Sequence, residues 1–306
     1  MSSKSKLFKY FTDEAVVLCL AFIGGFVDAA GYIKLFNLFT SSITGNLVVA
    51  CASLYHPEGV FCRFCVSLCF AGGGGILTTL AVQLKVVQEM DPRKVSMILF
   101  ICEALILVAC WIVGHIYNDE IENGSLNTGI VILVGSIMGF SMGVHNAAAK
   151  ETIANCPSTT VMTMTLVSLS SAASNTLNLF LAKHNLLTMH PKSQTAASYK
   201  IEEKYNDHYS KLMIAVKPLI TFLIGALAGA STMHEMDFHC LFIPVFVSLL
   251  FVADLYVAYI TAAPAKPAVA ESKAVEASKS VELSTTVTKN AEYAAIDAST
   301  PIPSAV

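Results

Sequence analysis

Three acidic residues lie inside long apolar runs of this sequence: Asp28, Glu103 and Asp254. If such a run crosses a membrane, a charged side chain at its centre costs about 2.5 to 3.5 kcal/mol, so each carboxyl needs a partner or a water-filled cavity. A carboxyl in a cavity can bind and release protons, whereas a paired or protonated carboxyl can simply hold helices together. Both interpretations stay open, and the first makes all three residues candidates for proton coupling.

The surroundings of Asp28 suggest close helix packing. In GGFVDAAG the carboxyl stands among small residues, which let another helix approach closely enough to hydrogen-bond it. In SMGVHNAAAKE, later in the chain, His145 and Asn146 occupy the corresponding place. A histidine ordinarily titrates near pH 6.5 and can relay protons, but it can equally be a hydrogen-bonded packing residue.

Two hydroxyl-rich stretches predict helix starts near these groups. Thr44-Gly45-Asn46 follows TSS, and the later PSTT leads to Thr163 and Thr165. Hydroxyl and amide side chains cap helix starts, where free backbone N–H groups can receive an anionic or carbonyl group. Two facing helix starts would form a solute site, whereas ordinary capping explains either one alone.

The rest of the chain must place these groups at membrane depth. Hydrophobic residues make up 55% of the 306 residues and charged residues only 13%, about half the charged share of soluble domains. Apolar runs close to the roughly 20 residues that cross a bilayer recur along the chain. We predict an all-α, polytopic membrane helix bundle over 14–262, with segments at 14–36, 42–55, 61–84, 96–117, 128–149, 158–182, 212–233 and 239–262.

The chain crosses the membrane six or eight times, depending on whether two of these segments span it. Segment 42–55 is short for a crossing and 158–182 is rich in Ser, Thr and Asn, so either can be re-entrant or buried inside the bundle. Residues 183–211 are predicted to form a polar loop and 1–13 a cytosolic segment. The Ala-, Ser-, Thr-, Lys-, Glu- and Pro-rich stretch 263–306 predicts a disordered tail.

A weak internal repeat relates the halves 14–117 and 128–262, and such repeats organise many transporter folds. Four matches occur in the same order: Gly25 to Gly31 with Gly143 to Ala149, Thr44 to Val48 with Thr163 to Val167, Phe70 with Phe222, and Glu103 with Asp254. The distribution of Lys and Arg predicts cytosolic N- and C-termini. With six crossings the halves are inverted, and Asn123 in Asn-Gly-Ser becomes an external glycosylation candidate.

The sequence lacks recognisable motifs for several classes of function. Cys62, Cys65 and Cys69 share a helix face without a matching His or Cys pair, and neither a nucleophile–base set nor a P-loop is recognisable. The net charge of −3 without a basic cluster argues against nucleic acid. We expect no enzyme activity, cofactor, metal or nucleic-acid partner; the expected partners are the lipid bilayer and an unidentified small solute, with a homo-oligomer left open.

The motifs GFVDAAGY and SSITGN, followed by GFSMGVHNAAAKE and STTVMTMTL, resemble the YoaK-like family, a domain of unknown function in multi-helix membrane proteins. The resemblance covers approximately 14–262, and its most specific element pairs G-x-x-D at Gly25 and Asp28 with T-G-N. The family's amide before small residues is present at Asn146, while His145 stands where a glutamine is common. The resemblance implies a membrane fold without an established activity.

The leading hypothesis is therefore a secondary transporter or permease for a small polar or anionic solute, with proton coupling as an option. Its predicted substrate-binding residues are Asp28, Thr44, Gly45, Asn46, His145, Asn146, Thr163 and Thr165. The alternative is a membrane scaffold or regulatory protein that transports nothing, whose polar residues only hold helices together.

Overall fold

The computed structural model describes residues 7–53, 58–153, seven positions between 170 and 181, and 197–262, and these residues form helices and connecting turns without strands. A π-helix, Cys69–Ile76, joins the α-helices Val60–Leu68 and Leu77–Gln83, and a 3-10 turn, Asp237–Leu241, joins the last two described helices. The α-helices are α1 Asp13–Lys34, α2 Ile43–Ala52, α3 Val60–Leu68, α4 Leu77–Gln83, α5 Lys85–Gln88, α6 Pro92–Ile116, α7 Asn118–Glu122, α8 Gly129–Thr152, α9 Ala197–Met236 and α10 Phe242–Thr261.

Five stretches of the described chain are long and apolar enough to cross a membrane. This set indicates a multi-pass α-helical membrane protein and confirms that level of the sequence prediction. The residues up to Tyr259 form one compact unit, and a second unit begins at Ile260. The five stretches are Asp13–Lys34, Val60–Gln83, Pro92–Ile116, Gly129–Thr152 and Val216–Thr261.

The start of α9 differs from the prediction. Residues 197–211, predicted as part of a polar loop, are helical, because α9 begins at Ala197 rather than near 212. Their sequence, ASYKIEEKYNDHYSK, contains many Lys and Glu residues, which favour helix without needing apolar surroundings. Most of the predicted segment 158–182, and the tail from 263 onward, lie outside the described residues.

The direction of each helix follows from contacts at its two ends. Helices α1 and α9 run parallel, because Lys217 contacts Glu14 at the start of α1 while Asp237 contacts Lys34 at its end. Helix α10 runs antiparallel to α6: Trp111 bonds His239 near the start of α10, and Lys94 lies over Tyr259 near its end. The chain thus reverses at the 3-10 turn, where Asp237 has a φ of 51°.

Glycines bring two pairs of helical segments into backbone contact. A Cβ at Gly25 of α1 would overlap the carbonyl oxygen of Phe222 in α9. A Cβ at Gly143 of α8 would overlap the carbonyl oxygen of Phe70 in the π-helix. Small residues allow this approach between membrane helices, whose association depends on packing rather than on water exclusion. The two contacts fix α1 against α9 and α8 against the π-helix.

Candidate functional site

The site begins where the chain turns back into the bundle after α1. Phe36 and Asn37 both have positive φ, 53° and 61°, which is uncommon for residues other than glycine and reverses the chain there. Residues 38–42 then return to the level of Asp28, which lies six residues, or about 9 Å at 1.5 Å per residue, before the end of α1. Helix α2 starts at this depth, and by Gly59 the chain has reached Asn127, between α7 and α8. Residues 35–52 therefore form a hairpin with a half-length helix as its second arm.

The carboxylate of Asp28 closes this hairpin. Its Oδ1 accepts the backbone N–H groups of Thr40, Ser41 and Ser42 at 2.8, 2.7 and 3.3 Å. Its Oδ2 accepts the hydroxyl of Ser42 at 2.5 Å. Asp28 is 5% exposed, and it supplies the acceptor that the buried N–H groups of the turn leading into α2 require. The anionic group expected at this helix start is thus the protein's own carboxylate.

The Thr44-Gly45-Asn46 motif holds the two arms of the hairpin together. The amide of Asn46 accepts the N–H of Phe39 at 3.0 Å and donates to its carbonyl at 2.5 Å. Gly45 faces the ring of Phe39, which a Cβ would approach within 3.0 Å. Thr44 is exposed. The motif therefore places Phe39 beside Asp28, and Thr44 does not share this contact.

A buried arginine that the sequence analysis did not single out completes the hairpin. Arg63 of α3 is 5% exposed, and its guanidinium donates to the carbonyl of Asn37 at 3.0 Å and to Oδ1 of Asn46 at 3.2 Å. Its place inside an apolar helix was the available signal, since a charge at membrane depth needs polar partners.

A cleft of about 340 Å³ opens beside the Asp28 carboxylate, between α1, α9 and the returning arm of the hairpin. The rings of Tyr32 and Phe39 lie with centroids 4.8 Å apart, and both line it. Small residues of α1 and α9 make up much of the remaining wall, so most of the lining is apolar. The lining residues are Gly25, Asp28, Ala29, Tyr32, Ile33, Phe39, Ser42, Phe222, Ala226 and Ala230.

Glu103 and His145 form a separate buried pair, each with 0% side-chain exposure. Nδ1 of His145 lies 2.9 Å from Oε1 of Glu103, and Nε2 lies 3.1 Å from the carbonyl of Leu20. Because a carbonyl only accepts, Nε2 carries a hydrogen, and the contact to Glu103 is a hydrogen bond only when a further proton lies between the two side chains. Whichever side chain carries that proton, the pair is neutral overall.

One oxygen of this pair stays open. Oε2 of Glu103 is buried and has no hydrogen-bond partner within the part of the chain that the structure describes, while Ser248 donates weakly to Oε1 at 3.5 Å. The hydroxyl of Ser141, one turn before His145, is also buried and unpaired within that part. The structure thus groups His145 with Glu103 rather than with Asp28.

Asp254, the third buried acid, binds backbone near the start of α1. Its carboxylate accepts the N–H groups of Lys9, Tyr10 and Phe11 at 3.2, 2.9 and 3.2 Å. Asp254 is 4% exposed. This contact lies at the opposite end of α1 from Lys34, so it shares neither the cleft nor the Glu103 pair.

The remaining predicted residues are more scattered. Asn146 donates to the carbonyl of Met142 at 2.7 Å within α8, and Asn123 is exposed just after α7. Thr163 and Thr165 lie outside the described residues. Within the described ranges, no group of three His, Cys, Asp or Glu side chains could hold a metal ion.

Comparison with known proteins places the chain in one family. No curated protein and no solved structure matched the chain. A family model described as "Protein of unknown function (DUF1275)" matches residues 16–253, which is most of the chain and includes Asp28 and Glu103. The chain therefore belongs to the DUF1275 family.

Proposed function

We propose that this protein is a secondary transporter for a small polar solute, coupled to protons. The observation that carries the proposal is the half-length helix α2, whose start is held at membrane depth by Asp28 beside an open cleft. Transporters place solute sites where interrupted helices end near the middle of the bilayer, since irregular backbone is tolerated there only next to protein or a cavity.

Six crossings in two inverted halves fit the contacts best. The 46-residue stretch Val216–Thr261 contains the reversal at Asp237 and so holds two crossings, while α2 does not cross. Support for the repeat comes from glycines at matched positions. Gly25 meets the carbonyl of Phe222 and Gly143 meets the carbonyl of Phe70, and the sequence pairs Gly25 with Gly143 and Phe70 with Phe222.

The proposed orientation keeps the start of α1 in the cytosol. Lys85, Lys94, Lys150 and Lys217 all lie at that end of the bundle, as expected for the cytosolic side. Asn123 then lies outside, at the end marked by Lys34.

Proton coupling is assigned to Glu103 and His145. Their shared proton keeps the pair neutral, and its loss would leave a net negative charge facing a bare ring nitrogen in an apolar interior. The pair would then have to separate or rearrange. Since His145 also binds the backbone of α1 at Leu20, such a rearrangement would act on the helix that carries Asp28.

The test uses purified protein in vesicles with an internal pH indicator, under an imposed pH gradient. We expect at least one solute from a panel of small amines, zwitterions and carboxylates to move protons through the wild type, beyond the leak of empty vesicles. Glu103→Gln should fold, because its amide can donate to Nδ1 of His145, yet it should lose the proton movement. Glu151→Gln, an exposed change at the end of α8, is the control.

A scaffold predicts the opposite result. The four hydrogen bonds that Asp28 accepts from residues 40–42 hold the turn before α2, and a purely structural residue could make the same contacts. If no solute moves protons and Glu103→Gln changes thermal stability alone, the transport proposal fails and the scaffold stands.

A further inference from the structure

We infer that the cleft beside Asp28 binds a small organic cation, an ammonium group carrying a short apolar chain. As the identity of the transported solute this inference rests on the proposed function, but as a binding site it stands on the cleft alone. The ammonium would lie at Oδ2 of Asp28, with the chain against Phe222 and Ala226.

The charge in the cleft selects against an anion. The turn that leads into α2 would attract an anion if its N–H groups were free, but the carboxylate of Asp28 already accepts three of them, from residues 40–42. A second anion would meet a carboxylate at close range in an apolar setting. Arg63 is not among the lining residues, and its guanidinium is bound to Asn37 and Asn46.

Asp28 retains acceptor capacity for a cation. A carboxylate has about four acceptor positions, two on each oxygen. The three N–H bonds fall on Oδ1, whereas Oδ2 accepts one hydrogen bond among the described residues, from the hydroxyl of Ser42. Oδ2 can therefore accept one more donor, and Asp28 is a lining residue of the cleft.

Aromatic rings provide a second attraction for positive charge. Tyr32 and Phe39 form a tilted pair beside the carboxylate, and Phe222 of α9 lines the opposite side of the cleft. Ring faces attract ammonium groups, more strongly where water is excluded. A carboxylate with neighbouring rings thus favours an ammonium group over a neutral alcohol, which would gain little from either.

The wall of the cleft fits the apolar part of such a ligand. Gly25, Ala29, Ala226 and Ala230 keep the space open, and the volume of about 340 Å³ is at the small end of ligand pockets. Beyond Ile33, at the end of α1, Lys34 is bound by Glu122 and Asp237. The positive charge of Lys34 is therefore balanced by two acids and does not oppose a cation in the cleft.

Three probes with four carbons each test the inference: butylammonium chloride, sodium butyrate and butanol, added to the purified full chain in detergent. We expect butylammonium to raise the thermal midpoint and to bind by calorimetry, with at least about tenfold preference over butyrate and butanol. Equal binding of all three, or no butylammonium binding, would overturn the inference. A cleft that retains copurified lipid and excludes butylammonium counts as the same negative result.

Variants assign the binding to the cleft. Asp28→Asn should weaken butylammonium binding about tenfold or more, and Tyr32→Leu several-fold, through loss of the ring. Ala226→Leu fills the cleft and leaves the hydrogen bonds between Asp28 and residues 40–42 intact. It should abolish binding, so the test holds even if Asp28→Asn does not fold. Asp254→Asn is the matched control, an aspartate with the same backbone bonds away from the cleft, and should bind normally.

Failure of binding and failure of transport are distinguishable. Butylammonium binding without proton movement in vesicles supports the site and contradicts the transporter. Proton movement driven by a carboxylate, without butylammonium binding, supports the transporter and overturns the cation assignment.

Discussion

Asp28 and Asp254 make almost the same contact in two different settings. Each buried carboxylate accepts three successive backbone N–H groups just before a helix, Thr40 to Ser42 before α2 and Lys9 to Phe11 before α1. A negative charge beside a helix start interacts favourably with the positive end of the helix dipole, and here each carboxylate also pairs the N–H groups of the residues that lead into the helix. Both residues therefore hold a joint where the chain enters a helix.

The surroundings of the two joints separate their roles. The segment bound by Asp254 packs its rings against the bundle, with Phe8 and Phe11 edge-on to Phe251. Asp28 instead shares its second oxygen with Ser42 and borders the cleft. A buried acid in a membrane helix is thus not sufficient evidence for a solute site. Open space beside the acid is the distinguishing feature.

The largest loss of thermal stability is expected when the carboxylates of Asp28 and Asp254 are removed. Asp28→Ala should lower the thermal midpoint more than Asp254→Ala, since each buried N–H left unpaired costs about 1 to 3 kcal/mol. The segment before α1 can turn outward and bond water, whereas the hairpin 35–52 is confined within the bundle. Thermal unfolding in detergent, followed by Trp111 fluorescence, gives the ranking. Asp119→Ala, at an exposed position of α7, is the control, and an equal or reversed order would contradict the difference between the joints.

Sequence patterns predicted the helices better than their contacts. Long apolar runs located α1, α6 and α8 within a few residues, because a membrane helix needs about 20 apolar residues whatever it packs against. The proximity of Asp28 to the start of α2 was also accessible, since only a short turn separates them. The helical stretch 197–211 was missed because its many polar residues were interpreted as a sign of a loop.

Pairings across the bundle were beyond the sequence pattern. Glu103 and His145 were each identified as polar residues in apolar helices, but their contact joins positions 42 residues apart and depends on how α6 packs against α8. Arg63 was missed for a related reason, because its partners Asn37 and Asn46 come together only when the hairpin folds back.

An intermediate effect is expected at the two glycines that bring helical segments into backbone contact. Gly25→Ala and Gly143→Ala each force a Cβ against a backbone carbonyl, which a flexible side chain cannot relieve. Overpacking of this kind costs about 1 to 3 kcal/mol, so both midpoints should fall by similar amounts. Gly72→Ala, with nothing within 4 Å of its Cβ, is the control. A strong effect at Gly25 with none at Gly143 would count against two equivalent halves. Close backbone packing would then matter only where α1 meets α9, beside the cleft.

The smallest effect should come from an exposed ionic contact. It tests whether the two joints are stabilised by the burial of paired N–H groups or by the charge of the carboxylate. Lys34 bonds Glu122 and Asp237 at 2.6 Å each, and the hydrogen bond and positive charge of Lys34 hold the pKa of the Glu122 carboxyl below its ordinary value. A lowered folded-state pKa means that this contribution is present above the unfolded-state pKa and is lost as pH falls through the folded-state value. Glu122→Gln should therefore lower the midpoint slightly at neutral pH, with the difference from wild type shrinking in acid and in high salt. Midpoints measured from pH 7 down to pH 3 at two salt concentrations decide this. A deficit as large as that of Asp254→Ala would show that charge, rather than burial of unpaired N–H groups, governs the joints.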